Sequence, residues 1–222
     1  MKNTIQDKTK LVNSVFSQVY KRYDLMNDIM SLGIHRIWKE KFIDWMNPQP
    51  QSKLIDVASG TGDIAKLFLD KTNNSAQVTC VEPNNGMLKQ GKLKLNKYNS
   101  ISWINSNAEN IPVKDNTFDY YSISYGIRNV SNINITLKEA LRVLKPGGRF
   151  MCLEFSKIDN EIINYLYKKY SKTIPYIGKL IVGSDKPYKY LIESIEKFYN
   201  QEELAELILK NGFSNVEYRN VS

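Results

Sequence analysis

Apolar residues recur in this chain with two different spacings, and the change from one to the other lays out its plan. From Lys8 to Trp45 the spacing is helical, with Leu11, Val12, Val15, Phe16, Val19 and Tyr20 on one stripe. Pro48-Gln49-Pro50 reads as a linker. From Leu54 onward, short apolar runs alternate with helical stretches. The pattern predicts strands ending at Val57 and over Ala76–Val81, Ile101–Ile104, Phe118–Ser124 and Arg149–Phe155. Between them it predicts helices to about Lys71, over Asn85–Leu95, and from about Asn134 to Leu144, where Lys145-Pro146-Gly147-Gly148 stops the last of these. A helix over Gln201–Lys210 and a last strand at Asn215–Tyr218 close the chain. Such alternation predicts an α/β fold, a doubly wound and mostly parallel sheet covered on both faces.

Composition narrows the class without choosing a chemistry. The chain has 222 residues, of which 42% are hydrophobic and 24% charged, as in an ordinary soluble domain. One domain is expected over 1–222: a helical N-terminal lid (1–50), a binding core (52–157), a helical insertion (158–200) and a C-terminal helix and strand (201–222). No apolar run is long enough to span a membrane, and the N-terminus is polar, so a cytoplasmic setting is expected. Cys80 and Cys152 both lie in apolar runs and read as buried free thiols, and metal-ligand spacing is absent. The net charge of +8 allows nucleic acid or an anionic membrane surface as partner. The insertion interleaves Tyr165, Tyr167, Tyr170, Tyr176, Tyr188 and Tyr190 with lysines, while Ile162, Ile163 and Leu166 keep a helical stripe. A solvated helix, a nucleic-acid face and a membrane face all fit that pattern.

The chemistry gathers on Leu54-Ile55-Asp56-Val57-Ala58-Ser59-Gly60-Thr61-Gly62-Asp63, a strand that runs through two glycines into a helix. Gly60, Gly62 and Ala65 satisfy the dinucleotide pattern, but the charges oppose it. A pyrophosphate needs a bare, positive helix N-terminus, whereas Asp56 and Asp63 would repel an anion. They suit a cation, and S-adenosylmethionine carries a sulfonium and an ammonium. Glu82 follows Gly62 by about twenty residues, the usual place for an acid that binds ribose hydroxyls. Ligands of open parallel sheets sit beyond the carboxyl ends of the strands, so Asp56 to Asp63, Glu82, Asn107-Ala108 and Ser124 to Asn129 should meet in one crevice. Thr61 is placed to bond a carboxylate or ribose, and the Asn107-Ala108 loop to meet an adenine edge. His35 is the only histidine in the chain, with a base and a hydrogen-bonded structural residue as its two readings.

Six stretches then carry a resemblance that covers nearly the whole chain. They are VFSQVYKRYDLMNDIMSLGIHRIWK at Val15–Lys39, DVASGTGD at Asp56–Asp63, NAENIPVKDNTFD at Asn107–Asp119, SISYGIRNV at Ser122–Val130, RVLKPGGR at Arg142–Arg149 and LEFSK at Leu153–Lys157. Together they resemble the ubiquinone/menaquinone biosynthesis C-methyltransferase family, a branch of the class I S-adenosylmethionine methyltransferases. The glycine-rich loop and KPGG are shared widely among methyltransferases; the N-terminal run and SYGIRNV are specific to this family.

The resemblance implies a Rossmann-like methyltransferase fold, S-adenosyl-L-methionine as cofactor, and methyl transfer to a ring carbon of a polyprenylated benzoquinol or of demethylmenaquinol. It assigns the cofactor to Thr61, Glu82, Asn107, Ala108 and Ser124, to which the reading of the glycine turn adds Asp56, Gly60 and Gly62. It puts Arg128 at the quinol oxygen, with Asn129, Tyr23, Asp24 and His35 as further catalytic candidates. Since an arginine does not readily surrender a proton, Arg128 is expected to stabilise a phenolate with water as acceptor. A structural ion pair with Asp24 or Asp28 is the competing reading. The resemblance allows peripheral contact with the inner membrane face or with other quinone-biosynthesis enzymes, leaves a homodimer open, and gives no role to nucleic acid. Two features depart from the family pattern: Ser59 stands where glycine is common, and the chain stops at Ser222 before the apolar strand with which relatives end, so the last strand is expected to be missing and the fifth to keep an open edge. A non-catalytic scaffold and a nucleic-acid methyltransferase are the alternatives. Against the second, Ser124-Tyr125-Gly126-Ile127 carries no NPPY-like turn of the kind that clamps a flipped base.

Overall fold

A computed structural model describes residues 33–156 and 185–221, together with Leu25, Asp28, Ser31, Lys169, Tyr170, Thr173, Pro175 and Lys179. The first helical stripe, from Leu11 to Tyr20, and the Ile162, Ile163 and Leu166 stripe lie outside these residues, as do Tyr23 and Asp24.

The elements in order are α1 (His35–Met46), β1 (Lys53–Val57), α2 (Asp63–Lys71), β2 (Gln77–Val81), α3 (Asn85–Lys94), β3 (Ile101–Ile104) and β4 (Phe118–Ser124). A single 3₁₀ turn (Ile127–Asn129), α4 (Ile133–Val143), β5 (Leu144–Leu153), α5 (Lys186–Glu196) and α6 (Gln201–Lys210) follow. The strands form one sheet in the order β3-β2-β1-β4-β5, and every pairing is parallel. The winding reverses between β1 and β4, which places a crevice beyond their carboxyl ends.

Side-chain alternation sorts the core into two layers. On one face Leu54, Val78, Cys80 and Tyr120 pack against Phe42, Ile43 and Met46 of α1 and Ile64, Ala65, Phe68 and Leu69 of α2. On the other, Ile55, Val57, Val81, Tyr121 and Ile123 pack against Leu137, Ala140 and Val143 of α4 and Ile208 of α6. This two-sided burial explains why the central strands read as nearly continuous apolar runs. Asp44 of α1 and Lys71 of α2, 2.6 Å apart, tie those helices together at the surface.

Two expectations are corrected. The fifth strand begins at Leu144, not Arg149, and ends at Leu153. Lys145-Pro146-Gly147-Gly148 forms a bulge within it, opposite Asp119: Phe118 pairs with Leu144, and Tyr120 with Arg149. Gly147 supplies the left-handed turn (φ +78°) and Lys145 Nζ holds Asp119 Oδ1 at 2.7 Å. Asn215–Tyr218 is irregular rather than a strand. Its stretch is polar apart from Val216, and it is held by side chains: Phe213 and Val216 reach one apolar layer, Val221 the other, and the Arg219 guanidinium lies over the Trp45 ring at 4.7 Å. Among the described residues β5 is an edge strand, and no helix is long and apolar enough to cross a membrane.

Candidate active site

The turn after β1 is built from left-handed backbone. Ala58 (φ +52°), Gly60 (φ +58°) and Gly62 (φ +85°) all take it, whereas Ser59 does not, so a serine side chain is tolerated where the family pattern favours glycine. At Gly62 a Cβ would lie 2.6 Å from Leu95 Cδ1 and 3.0 Å from the Trp103 ring, so the position has no room for a side chain. The amides of this turn are engaged: Ser59 N donates to Val81 O (3.2 Å) and Gly60 N to Glu82 Oε2 (2.9 Å). A matching corner follows β4. Tyr125 is left-handed (φ +54°) and stacks on Phe155 with ring centres 4.8 Å apart. A Cβ on Gly126 would lie 2.7 Å from Ala58 Cβ, so the ends of β1 and β4 are pressed together there. Strain concentrated at two facing strand ends is the kind that functional crevices hold.

Of the three acids singled out in the sequence, Asp56 and Asp63 line the crevice after β1, and Glu82 stands beside it at the end of β2. Asp56 is 1% exposed; its Oδ1 accepts from Ser122 Oγ (2.7 Å), and its buried Oδ2 has no hydrogen-bond partner among the described residues. Burial pushes its carboxyl up to about 7 against the Ser122 hydrogen bond and the charge of Lys39. Glu82 accepts from Gly60 N and from Asn84 N (2.8 Å), and burial pushes it up to about 7 as well. The third acid is corrected. Asp63, at the first position of α2, is held by Lys39 Nζ and Lys94 Nζ, each at 2.7 Å. Burial raises its carboxyl, but the two ammonium groups outweigh this and hold it well below the usual carboxylate range. Asp63 is therefore already compensated and does not offer a free negative charge.

The remaining cofactor candidates line the same end of the sheet. Thr61 Oγ1 is 3.3 Å from Lys94 Nζ. Asn105 Nδ2 donates to Glu82 O (2.8 Å) and Pro83 O (3.0 Å), which fixes the loop carrying exposed Asn107 and buried Ala108 beside Glu82. Glu109 in that loop accepts from Ser131 N and Asn132 N, bracing it to the loop after β4. Ser124 ends β4 with a buried Oγ that has no hydrogen-bond partner among the described residues. Asp56, Gly60, Thr61 and Ser124 line one narrow crevice with Lys39, Asp63 and Tyr125, of about 20 Å³. A larger cavity of about 320 Å³ lies at the opposite end of the strands, between Asn47, Gln49, Tyr120, Lys145 and Arg149.

Arg128 sits in the 3₁₀ turn beyond β4 and is 8% exposed. Of the two acids weighed as its ion partner, Asp24 lies outside the described residues. Asp28 is taken by Arg36 (2.8 and 2.9 Å), and the guanidinium NH1 of Arg128 is bonded instead to Glu154, the acid of LEFSK. Glu154 also accepts from Phe155 N (2.9 Å), and the Arg128 guanidinium lies 5.5 Å from the Phe155 ring centre. Next to it, Asn129 Oδ1 accepts from Tyr190 Oη of α5 (2.9 Å), and Asn129 Nδ2 donates to Tyr125 O (3.3 Å). The sequence shows Tyr190 only within the tyrosine-lysine pattern and Glu154 only within LEFSK, with a site role for neither. Glu154 follows directly on β5, a strand-end position like that of Glu82, and that was the available signal. His35 is buried, with Nδ1 2.9 Å from Ser31 Oγ and 3.7 Å from Asp28 Oδ1, and burial followed by the charge of Lys39 lowers its basicity. This is the geometry of a hydrogen-bonded structural histidine.

The donor set fits a compact cation next to a nucleoside. Asp56, with one carboxylate oxygen unpartnered among the described residues, lines the crevice, Ser124 and Thr61 offer hydroxyls, and Glu82 follows the end of the neighbouring β2. With the sheet order and the glycine turn, these residues define a class I methyltransferase that uses S-adenosylmethionine. The family model described as the ubiE/COQ5 methyltransferase family matches residues 2–222, and the chain belongs to that family. Similar relatives include the mitochondrial 2-methoxy-6-polyprenyl-1,4-benzoquinol methylase of Dictyostelium discoideum, 45% identical over 98% of this chain and 79% of that protein. The ubiquinone/menaquinone biosynthesis C-methyltransferase UbiE of Brucella suis is 46% identical over 96% of this chain and 82% of that protein. Among solved structures, a SAM-dependent methyltransferase of Thermotoga maritima matches with a TM-score of 0.63 at 21% identity, covering 92% of this chain and 82% of that one, a likeness of fold.

Proposed function

We propose that this protein is a C-methyltransferase that moves a methyl group from S-adenosylmethionine to a ring carbon of a polyprenylated benzoquinol or demethylmenaquinol. The names of its relatives support the acceptor class. The observation that carries the reading is a buried Arg128 at the end of β4, beside a crevice whose own acids suit a cationic donor. Bound there, S-adenosylmethionine supplies a methyl group on positive sulfur, a strong electrophile that needs no acid assistance.

The residues divide the remaining work. Asp56 would hold positive charge, Glu82 the ribose hydroxyls, Thr61 and Ser124 polar edges of the donor, and the Asn107-Ala108 loop the adenine. A quinol ring becomes a better carbon nucleophile as its hydroxyl loses a proton. Arg128 would stabilise the oxygen that forms, and Asn129, fixed by Tyr190, would orient the ring. The contribution of such a site is largely placement of ring carbon and methyl in line. Tyr23 and Asp24, beside the described residues of the N-terminal motif, belong to the proposed lid. We read the 222 residues as one methyltransferase domain, stationed where its net charge of +8 meets an anionic membrane face and a membrane-borne acceptor.

Incubation with methyl-labelled S-adenosylmethionine and short-chain demethylated benzoquinol and naphthoquinol tests the reading. Label should appear on a ring carbon. A protein that binds the donor yet labels no quinol would defeat it.

A further inference from the structure

Removing a proton from the acceptor requires a base, and Arg128 has five donors and no acceptor. Among the described residues, the carboxylate in direct contact with it is Glu154. The two side chains are 5% and 4% exposed, so the pair is dry. The two oxygens of Glu154 are not equally engaged. Oε1 accepts from the Arg128 guanidinium and from Phe155 N at 2.9 Å, whereas Oε2 has only a long contact with the Arg128 amide at 3.4 Å. Oε2 therefore retains lone-pair capacity for a further donor.

We propose that Glu154 is the proton acceptor of the methylation, taking the quinol hydroxyl proton at Oε2 while Arg128 transfers its pairing to the oxygen left behind. This rests on the reading given under Proposed function. The O–H bond breaks, its electron pair stays on oxygen, and the proton bonds to Oε2. The ring carbon then takes the methyl, its own proton leaves to water, and the Glu154 proton returns to the ring oxygen. One proton is released per methyl transferred.

The charge count favours this route. Before the step, the buried charges are carboxylate and guanidinium; after it, phenolate and guanidinium. The buried pair stays neutral across the proton transfer, so that step strands no unpaired ion. Among the described residues, the charged and titratable groups facing Glu154 are Arg128 from the turn after β4, Cys152 on its own strand and Tyr190 on α5. Burial raises the Glu154 carboxyl against the opposing charge of Arg128, which brings its protonated form within reach.

The test compares wild type, Glu154→Gln and Glu154→Asp on two demethylated quinols: an ordinary short-chain one and a ring-halogenated one with a more acidic hydroxyl. Glu154→Gln should slow transfer to the ordinary quinol by about 100- to 1,000-fold relative to wild type. Toward the acidic quinol the same ratio should shrink to about tenfold or less, since less help from a base is needed. Glu154→Asp should recover part of the loss, and calorimetry should find S-adenosylhomocysteine binding unchanged in both variants. Equal loss on both quinols would make Glu154 a mere brace for Arg128 and overturn the proposal, as would undiminished turnover. Wild type alone gives a second reading should the variants not fold. The acid limb of its kcat profile should fall at one pH for both quinols, and a limb that moves with the acidity of the quinol overturns the assignment. A wild type inert toward every quinol defeats the proposed function as well, which separates that failure from this one.

Discussion

The two halves of the crevice solve opposite electrostatic problems. At the ends of β1 and β2, Asp56 and Glu82 are met by a serine hydroxyl and backbone amides, with no ion pair to either carboxylate among the described residues. At the ends of β4 and β5, Glu154 is met by the guanidinium of Arg128. The first half has negative charge in reserve for a positive visitor. The second arrives already neutral and can exchange one anion for another. Under the proposed function, a cationic donor and an acceptor that must become an anion would be sorted to different ends of one short row of strands.

Breaking the neutral half should have the largest effect. Arg128→Ala leaves Glu154 buried without its partner, and urea unfolding should show a loss of about 3–5 kcal/mol together with loss of turnover. A loss below about 1 kcal/mol would instead mark a solvated pair of the kind seen on surfaces. The junction between the halves comes next. Gly126→Ala drives a Cβ to 2.7 Å from Ala58 Cβ, and should cost about 1–3 kcal/mol and weaken donor binding along with stability.

The acid half is then tested by pH. Asp56 and Glu82 titrate near 7 in the free protein, so they are largely protonated at pH 6 and ionised at pH 8. Calorimetry should find S-adenosylmethionine binding about tenfold tighter at pH 8 than at pH 6, with protons released on binding. The uncharged-sulfur product should respond less. The same shifts act on stability with the opposite sense. The folded state holds these protons more firmly than the unfolded one, so from about pH 4 to about pH 7 the free protein loses stability as pH rises. Smallest is Tyr190→Phe, which removes one hydrogen bond to Asn129 and should cost about 1 kcal/mol, read as a severalfold rise in KM for the quinol with donor affinity unchanged.

The same division decides what the sequence disclosed. β4 was placed at Phe118–Ser124, and β2 and α3 to within one residue, because two-sided burial leaves an apolar run that local chemistry ends sharply. The glycine turn and its acids were legible for the same reason: strand, turn and helix N-terminus are contiguous. Charge compensation was not. Asp63 is neutralised by lysines 24 and 31 residues away, and Arg128 by a glutamate 26 residues away. No local pattern states which distant strand or helix end will arrive beside a charge. Lys145-Pro146-Gly147-Gly148 misled for a related reason: the residues that make a turn also make a bulge, and only pairing with β4 separates the two.

The salt link from Lys39 to Asp63 has one more effect. It joins α1, which precedes the whole sheet, to the first residue of α2, across a space of about 20 Å³, whereas pockets for ligands of drug size commonly hold several hundred. A guest in that space would meet both charges of the pair. An amino-acid tail is unusual in carrying both replacements, an ammonium for the carboxylate and a carboxylate for the ammonium. A guest so equipped would trade partners with both ends of the link, an exchange that a bare nucleoside has no charges to make.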